Sequence, residues 1–437
     1  MPFGGQVRRN KMDLKVRRST LEGSIAVSGS KSHTIRAIVC ALLAEGTSIV
    51  RSPLESADTR AALEAAKSFG AVVTEKPGVW EITGCGGKLR DPGKVIDMMN
   101  SGTGLRLLTG LAALQDFTIS FDGDESLRTR KMAPLLSALE KLGASTVSAD
   151  GKAPFSITGP IAGGSTTVDG TSSQFLSSLL FALPLCKADC QITLDFLMEQ
   201  PYVGITCDWL RAAGISVQYS EDMLKWQIPG NQQYKPLDRV VPADFSTAAF
   251  PLVAGMLSGK NVQICNLDFN DPQGDKAVFG FAEQMGAVIT RGKEVCVNNS
   301  GKLHGVELDL NSTPDALPIL AVAAAFSEGK TLLGNVRQAR LKETDRIAVM
   351  AKELAKVGVK VEELEDGLIV TGGNFHGGEV ESYNDHRIAM AFAVAGTALP
   401  EGEELIIRNA ECAKVSYPDF VRDFKALGAD FTETDNE

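Results

Sequence analysis

The sequence predicts an α/β (α+β) protein built from six copies of one unit, divided into two halves. Three observations carry that reading. The first is a short polar motif followed by an apolar run rich in Ala and Leu, which begins at Ser30, Asn100, Thr171, Ala243, Thr313 and Asn384, in steps of 70, 71, 72, 70 and 71 residues. The second is a run that ends in Gly and leads into a β-rich stretch. Its glycines, Gly70, Gly143, Gly214, Gly286, Gly358 and Gly428, follow in steps of 73, 71, 72, 72 and 70. Two independent markers with one period identify an internal repeat, and the period exceeds the roughly 20 to 50 residues of solenoid modules. The third is the stretch 229–242, "PGNQQYKPLDRVVP", whose three prolines and turn formers lie between the third and fourth units and mark a linker.

Each unit reads in the same order. The polar motif opens a first helix, as in "SKSHTIRAIVCALLAEG" and "NSGTGLRLLTGLAAL". A β-like stretch follows: "TSIV", "TISF", "ITLD", "VQIC", "TLLG" and "LIIR" in the successive units. A second helix then closes at the marker glycine, which suits a left-handed C-terminal cap. Most units end in two strands around a turn, as in "AVVTEKPGVWEITG" with Pro77-Gly78 at the bend. Mixed helices and strands in this order indicate domains assembled from copies.

Composition bounds what such a protein can do. The 437 residues carry a net charge of -10, which disfavours bulk attraction to nucleic acid or an anionic membrane. No run of 18 apolar residues offers a membrane span. The opening "MPFGGQVRRNKMDLKVRR" has no apolar core after its basic residues, so it is not a secretory signal and is expected to be a partly disordered lead-in. The eight cysteines are scattered, and Cys186 and Cys190 lack nearby His partners. Buried free thiols in a reducing cytoplasm are expected, with no metal. "SGSKS" has Ser30 where a phosphate-binding P-loop needs Gly, and "GTGLRL" lacks the third Gly of a dinucleotide fingerprint, so no cofactor is expected.

Charge is placed unusually at the helix openings. A cap needs one oxygen, yet these openings also carry Lys31, His33, Arg36, Arg106, Gln174, His386 and Arg387. Cations at a helix N-terminus oppose its dipole unless an anion sits there, so these positions are candidate phosphate or carboxylate seats. "RLKETDRIAVM" gathers Arg340, Lys342, Glu343, Asp345 and Arg346, with Lys342 and Arg346 expected on one helix face. Arg128, Arg130, Lys131 and Lys414 add further charge.

The motifs "GSKSHTIR", "NSGTGLR", "DGTSSQFL", "TPDA", "LKETDRI", "YNDHRIAM" and "AKVSYPDF" closely resemble the 5-enolpyruvylshikimate-3-phosphate synthases, in order from Leu14 to Gly428. The resemblance implies two domains, each of three units with helices inside and sheets outside, and an active site in the cleft between them. The N-terminal strand would join the second half, giving domains of 1–28 plus 243–437 and of 29–242. The reaction implied is transfer of the enolpyruvyl group of phosphoenolpyruvate to the 5-hydroxyl of shikimate 3-phosphate, by a cytoplasmic monomer. By resemblance, Lys31, Ser32, Arg36, Ser172, Ser173, Gln174, Asp315 and Lys342 hold shikimate 3-phosphate. Lys31, Gly102, Arg130, Gln174, Arg346, Arg387 and Lys414 hold phosphoenolpyruvate. Asp315 accepts the hydroxyl proton and Glu343 donates one to the methylene carbon, with Lys31 and Lys414 as partners in these transfers.

The sequence departs from the family pattern in places. Glu199 stands where many members have a substrate-contacting Ser, Gln338 where an Asn is usual, Leu107 where a Pro is common, and Ser101 where an Ala is. Two rivals are weaker. The UDP-N-acetylglucosamine enolpyruvyl transferases carry a reactive Cys five residues before an Arg matching Arg130, and that position is Glu125 here. A non-catalytic polyanion-binding paralogue would not need Asp315 and Glu343, each in its own motif.

Overall fold

The computed structural model describes residues 11–435. Six four-stranded sheets recur, and they follow one plan. In the second unit the strand Ile96–Asp97 leads into the helix Gly102–Ala112, and the chain returns as Thr118–Asp122, parallel to the first strand. The helix Ala133–Glu140 then precedes the hairpin Ser145–Ala149 and Lys152–Thr158, whose second strand pairs antiparallel with Thr118–Asp122. All six marker glycines adopt positive φ, from 79° to 110°, as a left-handed helix end requires.

The six first helices are Lys31–Leu43, Gly102–Ala112, Ser173–Ala182, Phe245–Ser258, Leu317–Ala325 and His386–Gly396. They are buried almost all round; every residue of Leu317–Ala325 is buried. An apolar helix without a polar face belongs inside, and the sheets therefore form the outside. The strand Thr118–Asp122 shows the matching alternation, with Ile119 and Phe121 buried and Thr118 exposed. One hydrophobic core draws on residues 12–27 and 243–431, the other on 35–241.

The chain crosses between these cores at a seam. The strand Leu21–Ala26 precedes the first helix of unit one, yet it pairs in parallel with Gly259–Cys265 of unit four. Reciprocally, Asp238–Val240 precedes the first helix of unit four and pairs with Thr47–Arg51 of unit one. The two crossings touch at the Gly29–Ala243 bridge, where Ser30 N donates to Pro242 O at 2.8 Å and Asp244 N to Ser28 O at 3.0 Å.

Several expectations need correction. The stretch 229–242 is no free linker: it contributes the strand Asp238–Val240, and Tyr234 is buried with its hydroxyl donating to Phe181 O. The lead-in is not disordered from residue 12 onward, because Met12–Arg17 is a strand between Glu404–Arg408 and Asp430–Asp435; residues 1–10 lie outside the described residues. All eight cysteines are free, but Cys85, Cys265 and Cys296 are only half-buried. No helix among the described residues is long and apolar enough to cross a membrane.

Candidate functional site

Residues at the starts of five of the six first helices, Lys31, Gly102, Ser173, Asp315 and His386, line one cleft with a cavity volume of about 350 Å³. Side-chain caps fix four of the six starts: Ser101, Ser172, Asp244 and Asp385 accept from backbone N–H groups two or three residues on. Ser30 makes no such bond. Lys31 N instead donates to Asp244 Oδ2 across the seam at 3.2 Å.

In the first half, Lys31 Nζ donates to Asp58 at 2.9 Å. Gln174 links two helices, donating to Thr103 Oγ1 at 3.1 Å and accepting from Arg106 at 2.6 Å. Arg130 donates to Asn100 Oδ1 at 2.6 Å and lies over Gly102, where a Cβ would sit 2.6 Å from its Nη1. A side chain at 102 would press on the end of Arg130, which would have to shift. Arg36 donates to Thr206 Oγ1 and to the carbonyls of Ser32 and Tyr202.

In the second half, Asp315 gathers Arg346 at 2.9 Å, Arg387 at 3.0 Å and Lys342 at 3.6 Å. Burial alone would raise its pKa, but these cations outweigh burial and hold it well below the usual carboxylate range. Glu343 lies 2.6 Å from Arg346 and 3.6 Å from Arg130 of the other half. It too is held well below the ordinary value against burial. Asp385 anchors the buried Arg346 from behind at 2.8 Å. His386 is held well below 6.5, by burial first and the Lys31 charge second, and is therefore neutral. His386 Nε2, Gln338 Oε1 and Arg387 Nε are buried polar atoms without a hydrogen-bond partner among the described residues.

Carboxylates also reach across the cleft. Glu199 accepts from Lys342 at 2.5 Å, and Tyr202 donates to Asp275 at 2.8 Å. These pairs set acids of each half against cations or donors of the other.

The cleft brings together Lys31, Ser32, Arg36, Gly102, Arg130, Ser172, Ser173, Gln174, Asp315, Lys342, Glu343 and Arg387. Arg346 supports them from below, 1% exposed and bound to three carboxylates. Lys414 is not in the lining. The 3-10 helix Ala410–Val415 packs Ala410, Cys412 and Ala413 inward, which turns Lys414 to solvent. Lys342 does not share a helix face with Arg346, because Asp345 caps the helix Arg346–Lys356 and Lys342 precedes it. His33 is no anion seat: it is fully buried, accepts from Trp209 Nε1 at Nδ1 (2.9 Å), and turns Nε2 toward Asp271 at 3.2 Å. Asp58, Asp275 and Asp385 were missed as partners; each lies near a helix start, where an acid reads as an ordinary N-terminal residue.

The EPSP synthase (3-phosphoshikimate 1-carboxyvinyltransferase) family model matches residues 16–424. The chain belongs to the EPSP synthase family. It is 43% identical over 424 residues to a 3-phosphoshikimate 1-carboxyvinyltransferase of Acetivibrio thermocellus, covering 96% of this chain and 99% of that one. A namesake from Ruminiclostridium cellulolyticum is 44% identical over 420 residues, covering 95% and 99%. Among solved structures, EPSP synthase from Acinetobacter baumannii aligns with a TM-score of 0.81 at 29% identity, over 97% of this chain and all of that one. The enolpyruvyl transferase NikO from Streptomyces tendae, at 19% identity and a TM-score of 0.77 over 98% of this chain and all of that one, shares the fold.

Proposed function

We infer that this cleft transfers the enolpyruvyl group of phosphoenolpyruvate to the 5-hydroxyl of shikimate 3-phosphate, the shikimate-pathway reaction of its family. The observation that carries the reading is the meeting of Lys31, Arg36 and Arg130 from one half with Lys342, Arg387, Asp315 and Glu343 from the other. Two phosphates and two carboxylates need a dense, desolvated cationic site, and the addition needs a base and an acid.

Asp315, ionised among three cations, takes the proton as the 5-hydroxyl oxygen bonds to C2 of phosphoenolpyruvate. A proton reaches C3 in the same addition, which gives the tetrahedral adduct. Loss of phosphate and of a C3 proton then restores the enol ether. Glu343 is ionised while Arg346 and Arg130 face it. Anionic substrate on Arg130 and Lys31 offsets those charges and raises Glu343 toward a protonated, donating form. Ser32, Arg36, Ser172, Ser173, Gln174 and Lys342 hold shikimate 3-phosphate. Lys31, Gly102, Arg130, Gln174 and Arg387 hold phosphoenolpyruvate, with Arg346 behind them. Lys414 has no assigned role in this arrangement.

Both halves of one chain furnish these groups, so a monomer suffices. Eight free cysteines fit a reducing cytoplasm. The test is a coupled phosphate-release assay with phosphoenolpyruvate and either shikimate 3-phosphate or UDP-N-acetylglucosamine. Release with the first acceptor alone is expected. Release with the UDP-sugar alone, or with neither, refutes the reading.

A further inference from the structure

Glu199 differs from the other carboxylates of the cleft. It precedes the helix Gln200–Ala212 in a left-handed conformation (φ 57°, ψ 37°) and makes no capping bond. L side chains adopt that backbone seldom. The residue is 2% exposed, and its side chain accepts from Ser173 Oγ at 2.9 Å and from Lys342 Nζ at 2.5 Å, joining the two halves. Its charge also acts on Arg36 and Arg106. Among the described residues neither guanidinium touches a carboxylate: Arg36 binds Thr206 and two carbonyls, and Arg106 binds Gln174 and the Lys131 carbonyl. Burial pushes both down to about 10, so their positive charge is under-compensated. Asp58 and Glu343 have close cations of their own in Lys31 and Arg346. Glu199, itself paired with Lys342, adds negative charge toward both guanidiniums, as Glu343 does toward Arg106.

We propose that Glu199 is a resident counter-anion that competes with the phosphate of shikimate 3-phosphate for Ser173, Lys342 and the field of Arg36 and Arg106, and so weakens the binding of that substrate. The proposal rests on the reading above that Ser173 and Lys342 hold this molecule. A carboxylate and a phosphate dianion within reach of the same donors repel strongly in a desolvated site. Substrate must either displace Glu199 from Ser173 and Lys342 or bind against its charge. Glu199 therefore sets substrate affinity and the preference for a phosphorylated over an unphosphorylated ring, without touching the reacting atoms.

The test is calorimetric titration of the full chain with shikimate 3-phosphate, and with shikimate as a control that lacks the phosphate. Wild type, E199Q, E199S and E199D are compared, beside steady-state turnover. E199Q and E199S should bind shikimate 3-phosphate at least about tenfold more tightly, with a matching fall in KM. Shikimate affinity should move less than about threefold, and E199D, which keeps the charge, should track the wild type. The substrate should also raise Tm more in E199Q than in the wild type, because it then supplies the missing charge. Should E199Q and E199S fold only when shikimate 3-phosphate is present, the proposal is supported by that same argument; failure to fold even then overturns it. Equal or weaker affinity in both variants overturns it as well and makes Glu199 a substrate contact or scaffold. Absent wild-type turnover would refute the functional reading itself, whereas normal wild-type turnover with no tightening refutes only the role of Glu199.

Discussion

Charge compensation decides what single residues do in this cleft. Asp315 stays ionised because Arg387, Lys342 and Arg346 outweigh its burial; the same cations weaken it as a base until substrate anions offset them. Asp315→Asn and Glu343→Gln keep shape and lose the proton function, so each should lower single-turnover rate by about 10²–10⁴-fold. Calorimetric affinity for shikimate 3-phosphate should change far less; an affinity loss as large as the rate loss would assign both acids to scaffolding. Arg130 faces Glu343 and Gly102, on the side assigned to phosphoenolpyruvate. Arg130→Ala should weaken phosphoenolpyruvate by about 2–5 kcal/mol and leave shikimate 3-phosphate nearly intact, as separate titrations would reveal. Asp275 behaves in the opposite sense to Asp315. Burial, then the charge of Asp315, raises it from 3.8 to about 7, while Arg387 and the Tyr202 hydrogen bond offset only part. The folded state therefore holds this proton after the unfolded chain has lost it, so the group's cost to stability grows from about pH 4 up to about pH 7. Asp275→Asn should gain stability over wild type as pH rises, by on the order of 2 kcal/mol more at pH 8 than at pH 5. Urea melts at the two pH values measure it; a gain that does not depend on pH would contradict the raised pKa.

Elements explain which parts of this architecture the sequence could disclose. The six first helices were legible because burial on every side leaves a largely apolar run, and the second helices because each leads to a left-handed glycine at a period of about 70 residues. The leading strands were not. Ile96–Asp97 has two residues and Asp238–Val240 three, too short for an alternating pattern to register. Glycines at helix crossings were equally silent. Gly110 of Gly102–Ala112 packs on Ser178 of Ser173–Ala182, and a Cβ there would lie 2.6 Å from Ser178 Oγ and 2.7 Å from its carbonyl oxygen. Gly110→Ala must push the two helices apart, at a cost of about 1–3 kcal/mol. Denaturant midpoints should fall accordingly, and Gln174 should lose register with Arg106 and Thr103; an unchanged midpoint would mean that the helices are free to slide. At the site, the cations could be found in sequence because they break the rule for helix starts. Their partners could not, since Asp58, Asp385 and Glu199 lie 27, 39 and 143 residues from Lys31, Arg346 and Lys342 and meet them only after separate elements have packed.

For the whole molecule, each half has its own hydrophobic core on its side of the seam. Residues 29–242 supply one core and all three of its sheets, and the leading strand of unit one is replaced there by Asp238–Val240. A fragment of residues 29–242 should unfold cooperatively by circular dichroism, and mixing it with a chain joining Ser28 directly to Ala243 should restore phosphate release. A fragment that never folds would show that the division lies elsewhere. The seam also determines how the molecule carries a mechanical load. Met12 stands opposite Asp435 on adjacent antiparallel strands, so handles at these two positions pull in unzipping geometry and peel Met12–Arg17 from Asp430–Asp435 one pair at a time. Because Ser30 and Pro242 are tied together, the half between them lies outside the force path until the seam parts. Stretched in an optical trap, the chain should yield in two ruptures, the half holding both handles first at low force and the looped half afterwards.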